Sequence, residues 1–96
     1  MSPAFRLRDE LIAAGARVYA HDPYFDADHL RRLGFEPYDL ESPEEVRVAI
    51  LQAAHAEYAE LEPSRLPGIE LFVDGRNAIE PSRWTDAGVA YAGIGR

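Results

Sequence analysis

Apolar positions along this chain follow two rhythms, and each change of rhythm marks an element. Ala4, Leu7, Leu11 and Ala14 form one stripe at helical spacing, with Phe5 and Ile12 beside it and Arg6, Arg8, Asp9 and Glu10 mostly facing water. The spacing predicts a helix over 2–14. Ser2 is its N-cap, Pro3 takes the first helical position, where a missing N–H does no harm, and Gly15 ends it. Arg17 to His21 reads as a short strand closed by Asp22-Pro23. A short helix over 26–33 follows, capped by Asp26 and stopped by Gly34.

The second half changes to short apolar runs. Phe35 to Leu40 is extended, and Ser42-Pro43-Glu44-Glu45 has a helix-start signature with little length to use it. Val46 to Ala53 is dense in aliphatic residues and predicts a buried parallel strand despite Arg47. A helix over 54–61 is followed by Pro63 and Pro67-Gly68 as punctuation, then by a strand from Ile69 to Val73. Pro81 to Ala87 forms a short helix ending at Gly88, and Val89 to Ala92 is the last strand. Helices alternating with short strands predict an α/β fold, a Rossmann-like three-layer domain with a mostly parallel sheet covered on both faces. With no repeat, low-complexity tract or linker, residues 1–96 are expected to be one domain.

Composition narrows the function classes. An apolar fraction of 47% suits a globular core. A net charge of -7 argues against nucleic acid, whose phosphates call for a basic face, and against an anionic membrane surface. No apolar run approaches the ~20 residues of a membrane span. The N-terminus lacks the basic flank and apolar core of a secretion signal, so a soluble cytoplasmic domain is expected. With no cysteine, disulfides, thiolate metal sites and cysteine nucleophiles are excluded, and every one of the ten basic residues is arginine.

The chemistry concentrates at one place. The run Ile69-Glu70-Leu71-Phe72-Val73 ends in Asp74-Gly75-Arg76-Asn77. A strand ending this way delivers a carboxylate, a guanidinium and an amide to the C-terminal edge of a sheet, where open α/β folds bind ligands. Arg76 has two readings: anion capture, since its planar fork matches phosphate or carboxylate oxygens, or a structural salt bridge to Asp74 or a helix carboxylate. Gly75 would let a ligand approach the backbone, while Asp74 and Asn77 would hold the loop by side-chain bonds to nearby backbone. Elsewhere the signals are structural. His21, His29 and His55 do not fall at metal-ligand spacing, so no metal site is expected. Asp39, Glu41, Glu44 and Glu45 read as a solvated loop, and Trp84 as a core anchor. Gly93-Ile94-Gly95 has no helix after it for a dinucleotide's phosphates and reads as a strand-end turn, so NAD is not expected to bind this chain.

Several segments, in order, resemble the C-terminal, nucleotide-sugar-binding domain of the UDP-glucose/GDP-mannose dehydrogenase family. They are Ser2-Pro3-Ala4-Phe5-Arg6, Val18-Tyr19-Ala20-His21-Asp22-Pro23, His55-Ala56-Glu57-Tyr58, Asp74-Gly75-Arg76-Asn77 and Gly93-Ile94-Gly95-Arg96. The resemblance implies a UDP-sugar ligand contacted by Arg76, and a homodimeric enzyme that oxidises the sugar's C6 alcohol to a carboxylate with two NAD. It also implies departures. The family's domain opens with a Gly-Leu-Ala-Phe-Lys strand and an acidic-x-Arg loop before Ser-Pro-Ala, and its Thr-x-His reads Ala53-Ala54-His55 here. The segment between Asp22 and Val46 is short, and the NAD-binding and catalytic parts lie upstream. The expectation is therefore a domain truncated at its N-terminus, with no catalytic residues of its own and the first, central strand missing between the strands ending at Asp22 and Asp74. Unpaired strand edges then favour a homo-oligomer. The competing expectation is a non-enzymatic self-association or partner-binding module, a degenerate fragment of such an enzyme.

Overall fold

The computed structural model of the protein describes residues 3–94, so the expected Ser2 cap and the final Gly95-Arg96 lie outside the described residues. The chain is α/β with parallel strands throughout, and it divides after Tyr38 into two compact units.

In the first unit, helix α1 (Pro3–Ala13) leads to strand β1 (Tyr19–Ala20), helix α2 (Ala27–Arg32) and strand β2 (Glu36–Pro37). The end of α1 falls where glycine permits it: Gly15 has φ 95°, and the N–H of Ala16 turns back to the Leu11 carbonyl. Asp26 caps α2, its Oδ1 accepting the His29 N–H at 2.8 Å, and Gly34 at φ 86° closes it. β1 and β2 pair in parallel, Tyr19 opposite Glu36 and Ala20 opposite Pro37. Arg8 holds the helices together. Its guanidinium lies over the rings of Phe5 and Phe35, at 5.2 and 4.7 Å, and its Nη1 donates to the Leu33 carbonyl at 2.9 Å. That bond gives a cation to the end of α2, where carbonyls lack partners.

The second unit holds strands β3 (Val48–Leu51), β4 (Leu71–Asp74) and β5 (Ala90–Gly93), parallel and in the order β3-β4-β5. Between β3 and β4 lie the single-turn helix α3 (Ala56–Ala59) and a 3-10 turn at Pro63–Arg65; helix α4 (Pro81–Thr85) connects β4 to β5. Glu80 caps α4 and Pro81 opens it, so the missing proline N–H is lost where no helical partner exists. The core packs on one face of the sheet. Trp84 is fully buried against Phe72, with ring centroids 4.3 Å apart, and Leu51, Leu66, Ile79 and Val89 surround them. Trp84 is thus the anchor expected from the sequence.

Two expectations need correction. The run from Val46 to Ala53 forms a strand only over 48–51, and it is not buried on both faces: Leu51 is buried, but Val48 is 50% and Ile50 39% exposed. Strand side chains alternate, so one β-run can be core at one position and surface at the next. The expected gap beside the strand ending at Asp74 is also absent, because β4 is flanked by β3 and β5. Among the described residues β3 and β5 are the two edge strands of this sheet. The helix-start signature at Ser42-Pro43 yields no helix.

Candidate functional site: the loop after β4

Leu51, Asp74 and Gly93 are register partners, so all three strands of the second unit end level at one sheet edge. The loop Asp74-Gly75-Arg76-Asn77 sits at this C-terminal edge. Asp74 is fully buried, yet its carboxylate is satisfied. Oδ1 accepts the Arg76 N–H at 3.0 Å, and Oδ2 accepts the Ile79 N–H at 2.8 Å and the Tyr91 hydroxyl at 2.7 Å. Burial alone pushes the Asp74 pKa up. The Tyr91 hydroxyl and the N–H groups of Ile79, Arg76 and Ala78 outweigh it and hold the carboxyl below its ordinary value. Asp74 is thereby the post around which the loop winds.

Gly75 faces the end of β3. Its N–H donates to the Leu51 carbonyl at 3.0 Å, and a Cβ there would stand 2.8 Å from that oxygen. The close backbone approach that requires glycine is therefore made by β3. Asn77 takes the left-handed conformation at φ 51°, which asparagine tolerates better than most residues, and its Nδ2 donates to the Ile94 carbonyl at 2.6 Å. The loop is thus tied to β3 through Gly75, to β5 through Asp74, and to the segment after β5 through Asn77.

Arg76 is the loop residue left over. Its main-chain N–H is held by Asp74, but its side chain is exposed and makes no hydrogen bond or ion pair among the described residues. The alternative reading of a salt bridge to Asp74 fails because the backbone occupies that carboxylate. Other arginines are engaged: Arg17 with Glu36, Arg47 with Glu70, Arg65 with Glu41 and Arg83 with Glu62. Arg32, on the surface of α2, is the other described arginine without an acidic partner. Among the described arginines, Arg76 alone combines that freedom with a braced loop at the C-terminal edge of a parallel sheet.

The remaining candidates are placed elsewhere. His55 precedes α3 and its ring meets Tyr58 edge-on at 5.7 Å; His29 stacks on Phe25 at 4.2 Å; His21 follows β1 in the first unit. Among the described residues no three His, Asp or Glu side chains converge on a possible metal site, and no helix is long and apolar enough to cross a membrane. The turns from strand to helix do not fit a dinucleotide. The turn after β1 contains no glycine, nor does that after β3, and the turn after β4 contains Gly75 alone. Tyr91 was missed as a site residue. The signal for it was register: β4 and β5 in parallel put Phe72 beside Tyr91, and Asp74 diagonally within the hydroxyl's reach.

UDP-glucose 6-dehydrogenase of Pseudomonas aeruginosa is 31% identical over 116 aligned positions, which cover 99% of this chain and 24% of that protein. The aligned span exceeds the 96 residues here, so the relative carries insertions within it. The chain spans about a quarter of that relative's length. No solved structure gives a significant match. The family model described as the UDP-glucose/GDP-mannose dehydrogenase family, UDP binding domain, matches residues 1–81, a span that includes α1, the β3–β4 pair and the whole Asp74–Asn77 loop. This chain belongs to the UDP-glucose/GDP-mannose dehydrogenase family, and its place in that family is the UDP binding domain.

Proposed function

We propose that residues 1–96 act as a nucleotide-sugar-binding domain, with Arg76 holding the diphosphate of a UDP-sugar at the C-terminal edge of β3, β4 and β5. The observation that carries this reading is the Arg76 guanidinium, without a hydrogen bond or ion pair among the described residues, on a loop whose Asp74 and Asn77 side chains are bound to backbone groups and to the Tyr91 hydroxyl. A rigid loop presents the cation without the entropy loss of ordering a flexible one. The planar fork suits two phosphate oxygens at once. Asp74, Gly75 and Asn77 shape the site, and Arg76 supplies the contact. Membership of the UDP binding domain family supports the nucleotide, and the relative's name supports glucose as the sugar type.

Oxidation of the sugar belongs in this reading to parts that the chain does not span, since it covers only 24% of the dehydrogenase it resembles. Such an enzyme uses NAD, but the turns here do not fit that cofactor, and the chain has neither cysteine nor lysine. We therefore assign this chain a binding role in the cytoplasm, with no catalytic residue of its own. Titration calorimetry with UDP, UDP-glucuronate and GDP tests the assignment. Binding of the uridine ligands is expected, with Arg76→Ala weakening it by roughly 1.5–3 kcal/mol, the scale of a charge-assisted bond. Arg76→Lys is expected to recover little, because the fork is lost. Equal affinity of wild type and Arg76→Ala would remove Arg76 from the site.

A further inference from the structure

We propose, on the reading that Arg76 holds the diphosphate, that Tyr91 is a positioning residue for that site, setting through Asp74 where the guanidinium stands. Arg76 lies on the loop after β4 and Tyr91 on β5, and the two share one carboxylate. Asp74 Oδ1 accepts the Arg76 N–H at 3.0 Å, and Asp74 Oδ2 accepts the Tyr91 hydroxyl at 2.7 Å.

The donors to Asp74 are of two kinds. The N–H groups of Arg76, Ala78 and Ile79 belong to the loop itself and travel with it if it shifts. The Tyr91 hydroxyl comes from another strand, so it refers the carboxylate to the sheet. Tyr91 is itself held in place. It is the register partner of Phe72, a core residue, and the two rings lie parallel with centroids 6.4 Å apart. A bond from an anchored ring to a fully buried carboxylate leaves that carboxylate little room to turn.

Arg76 is sensitive to this anchor. Gly75 before it is bonded to Leu51, and Asn77 after it is bonded to the Ile94 carbonyl, but the N–H of Arg76 itself depends on Asp74. Its side chain is long and exposed, and no other bond among the described residues corrects its aim. Two-point contact with phosphate oxygens asks for placement within about 0.5 Å, and a small tilt of the backbone grows along such a side chain. Without the Tyr91 donor, the guanidinium must reach the ligand at a cost in conformational entropy.

Proton occupancy gives the arrangement a signature. Tyr91 is the titratable side chain bonded to Asp74, and no charged side chain among the described residues bonds it. Burial favours the protonated form of Asp74, and the Tyr91 bond is the largest influence against it. A protonated carboxyl cannot accept from all its present donors, so ligand affinity is complete while Asp74 is ionised and falls as acid protonates it. Removing the Tyr91 hydroxyl moves that fall to higher pH.

Titration calorimetry with UDP-glucose, whose diphosphate keeps its charge between about pH 4 and pH 7, compares wild type, Tyr91→Phe, Arg76→Ala and the double variant. Circular dichroism checks that each is folded under the titration conditions. Tyr91→Phe is expected to weaken binding about fivefold near neutral pH, and to add nothing in the Arg76→Ala background, as coupled neighbours do. On acidification it is expected to lose affinity at a higher pH than wild type. An equal loss in both backgrounds, no loss in either, or an acid onset that Tyr91→Phe leaves in place overturns the proposal. If Arg76→Ala binds as wild type does, or if UDP-glucose does not bind, the reading of Arg76 as the phosphate contact fails and the role of Tyr91 falls with it.

Discussion

The Tyr91 hydroxyl donates to the Asp74 carboxylate at 2.7 Å, joining β5 to the end of β4 on the buried face of the sheet. Asp74 also accepts from Arg76 and Ile79, so this one contact fixes where the loop begins relative to the last strand. Tyr91→Phe keeps the ring and removes the donor. A loss of about 1.5 kcal/mol is expected from urea unfolding, at the lower end for a bond to a charged acceptor because two backbone donors remain. Asp74→Ala strands three donors and should cost more, about 3 kcal/mol.

Acid sensitivity follows from the same group. The folded-state pKa of Asp74 lies below its ordinary value of 3.8, so the native loop keeps its charge where the unfolded chain takes a proton. The stabilisation is complete above the unfolded value and is lost as pH falls through the lowered folded one. Wild type should therefore lose stability on acidification below about pH 4 more steeply than Asp74→Asn, which has no carboxyl to titrate. Parallel urea curves at several acidic pH values measure the two slopes. Equal slopes would mean that other carboxylates, such as Glu36 beside Arg17, govern the acid limb.

Gly75 is where β3 and the loop compete for space. A methyl group at this position meets the Leu51 carbonyl at 2.8 Å, a backbone atom fixed by the β3–β4 ladder. Gly75→Ala should destabilise by about 1–3 kcal/mol, the range for overpacking a tight site. Its largest effect on amide exchange should appear at Gly75 and the C-terminal end of β3, since the bond between the Gly75 N–H and Leu51 must lengthen. Unchanged protection there would show that the loop yields instead.

Much of this was legible in the chain. Helix stripes and their stops gave α1 and α2 to within a residue or two, because Gly15, Asp26 and Gly34 act through local backbone preferences that need no tertiary context. The Asp-Gly-Arg-Asn sequence marked the loop for a similar reason. What the sequence could not carry was pairing. An aliphatic run such as Val46 to Ala53 looks the same whether one face is covered or two, so the exposure of Val48 and Ile50 had no local signature. Nor could residue type reveal that Gly75 serves β3 or that Tyr91 completes the Asp74 site, since both depend on strand order.

Arg76 should separate binding from folding. Its side chain is exposed and without partners among the described residues, so Arg76→Ala should change stability by no more than about 0.5 kcal/mol. Thermal and urea melts without ligand check this. A large loss would mean that the guanidinium has a structural partner, and a weakened nucleotide affinity in that variant would no longer report on a contact.

The purified chain should show no dehydrogenase activity. Oxidising a sugar alcohol to a carboxylate needs a hydride acceptor held against the substrate and groups to handle protons and the aldehyde-level intermediate. None of the strand-to-helix turns among the described residues has the glycines that let a dinucleotide's pyrophosphate approach a helix. No cysteine is present to trap a carbonyl, and with all ten basic residues arginine, no lysine can give or take a proton near neutral pH. The carboxylate at the loop, Asp74, is buried and committed to backbone and Tyr91. Incubation with UDP-glucose and NAD should therefore yield no absorbance of NADH, even at enzyme concentrations where UDP binding is saturated. Steady NADH formation that Arg76→Ala abolishes would overturn the assignment of a binding role alone.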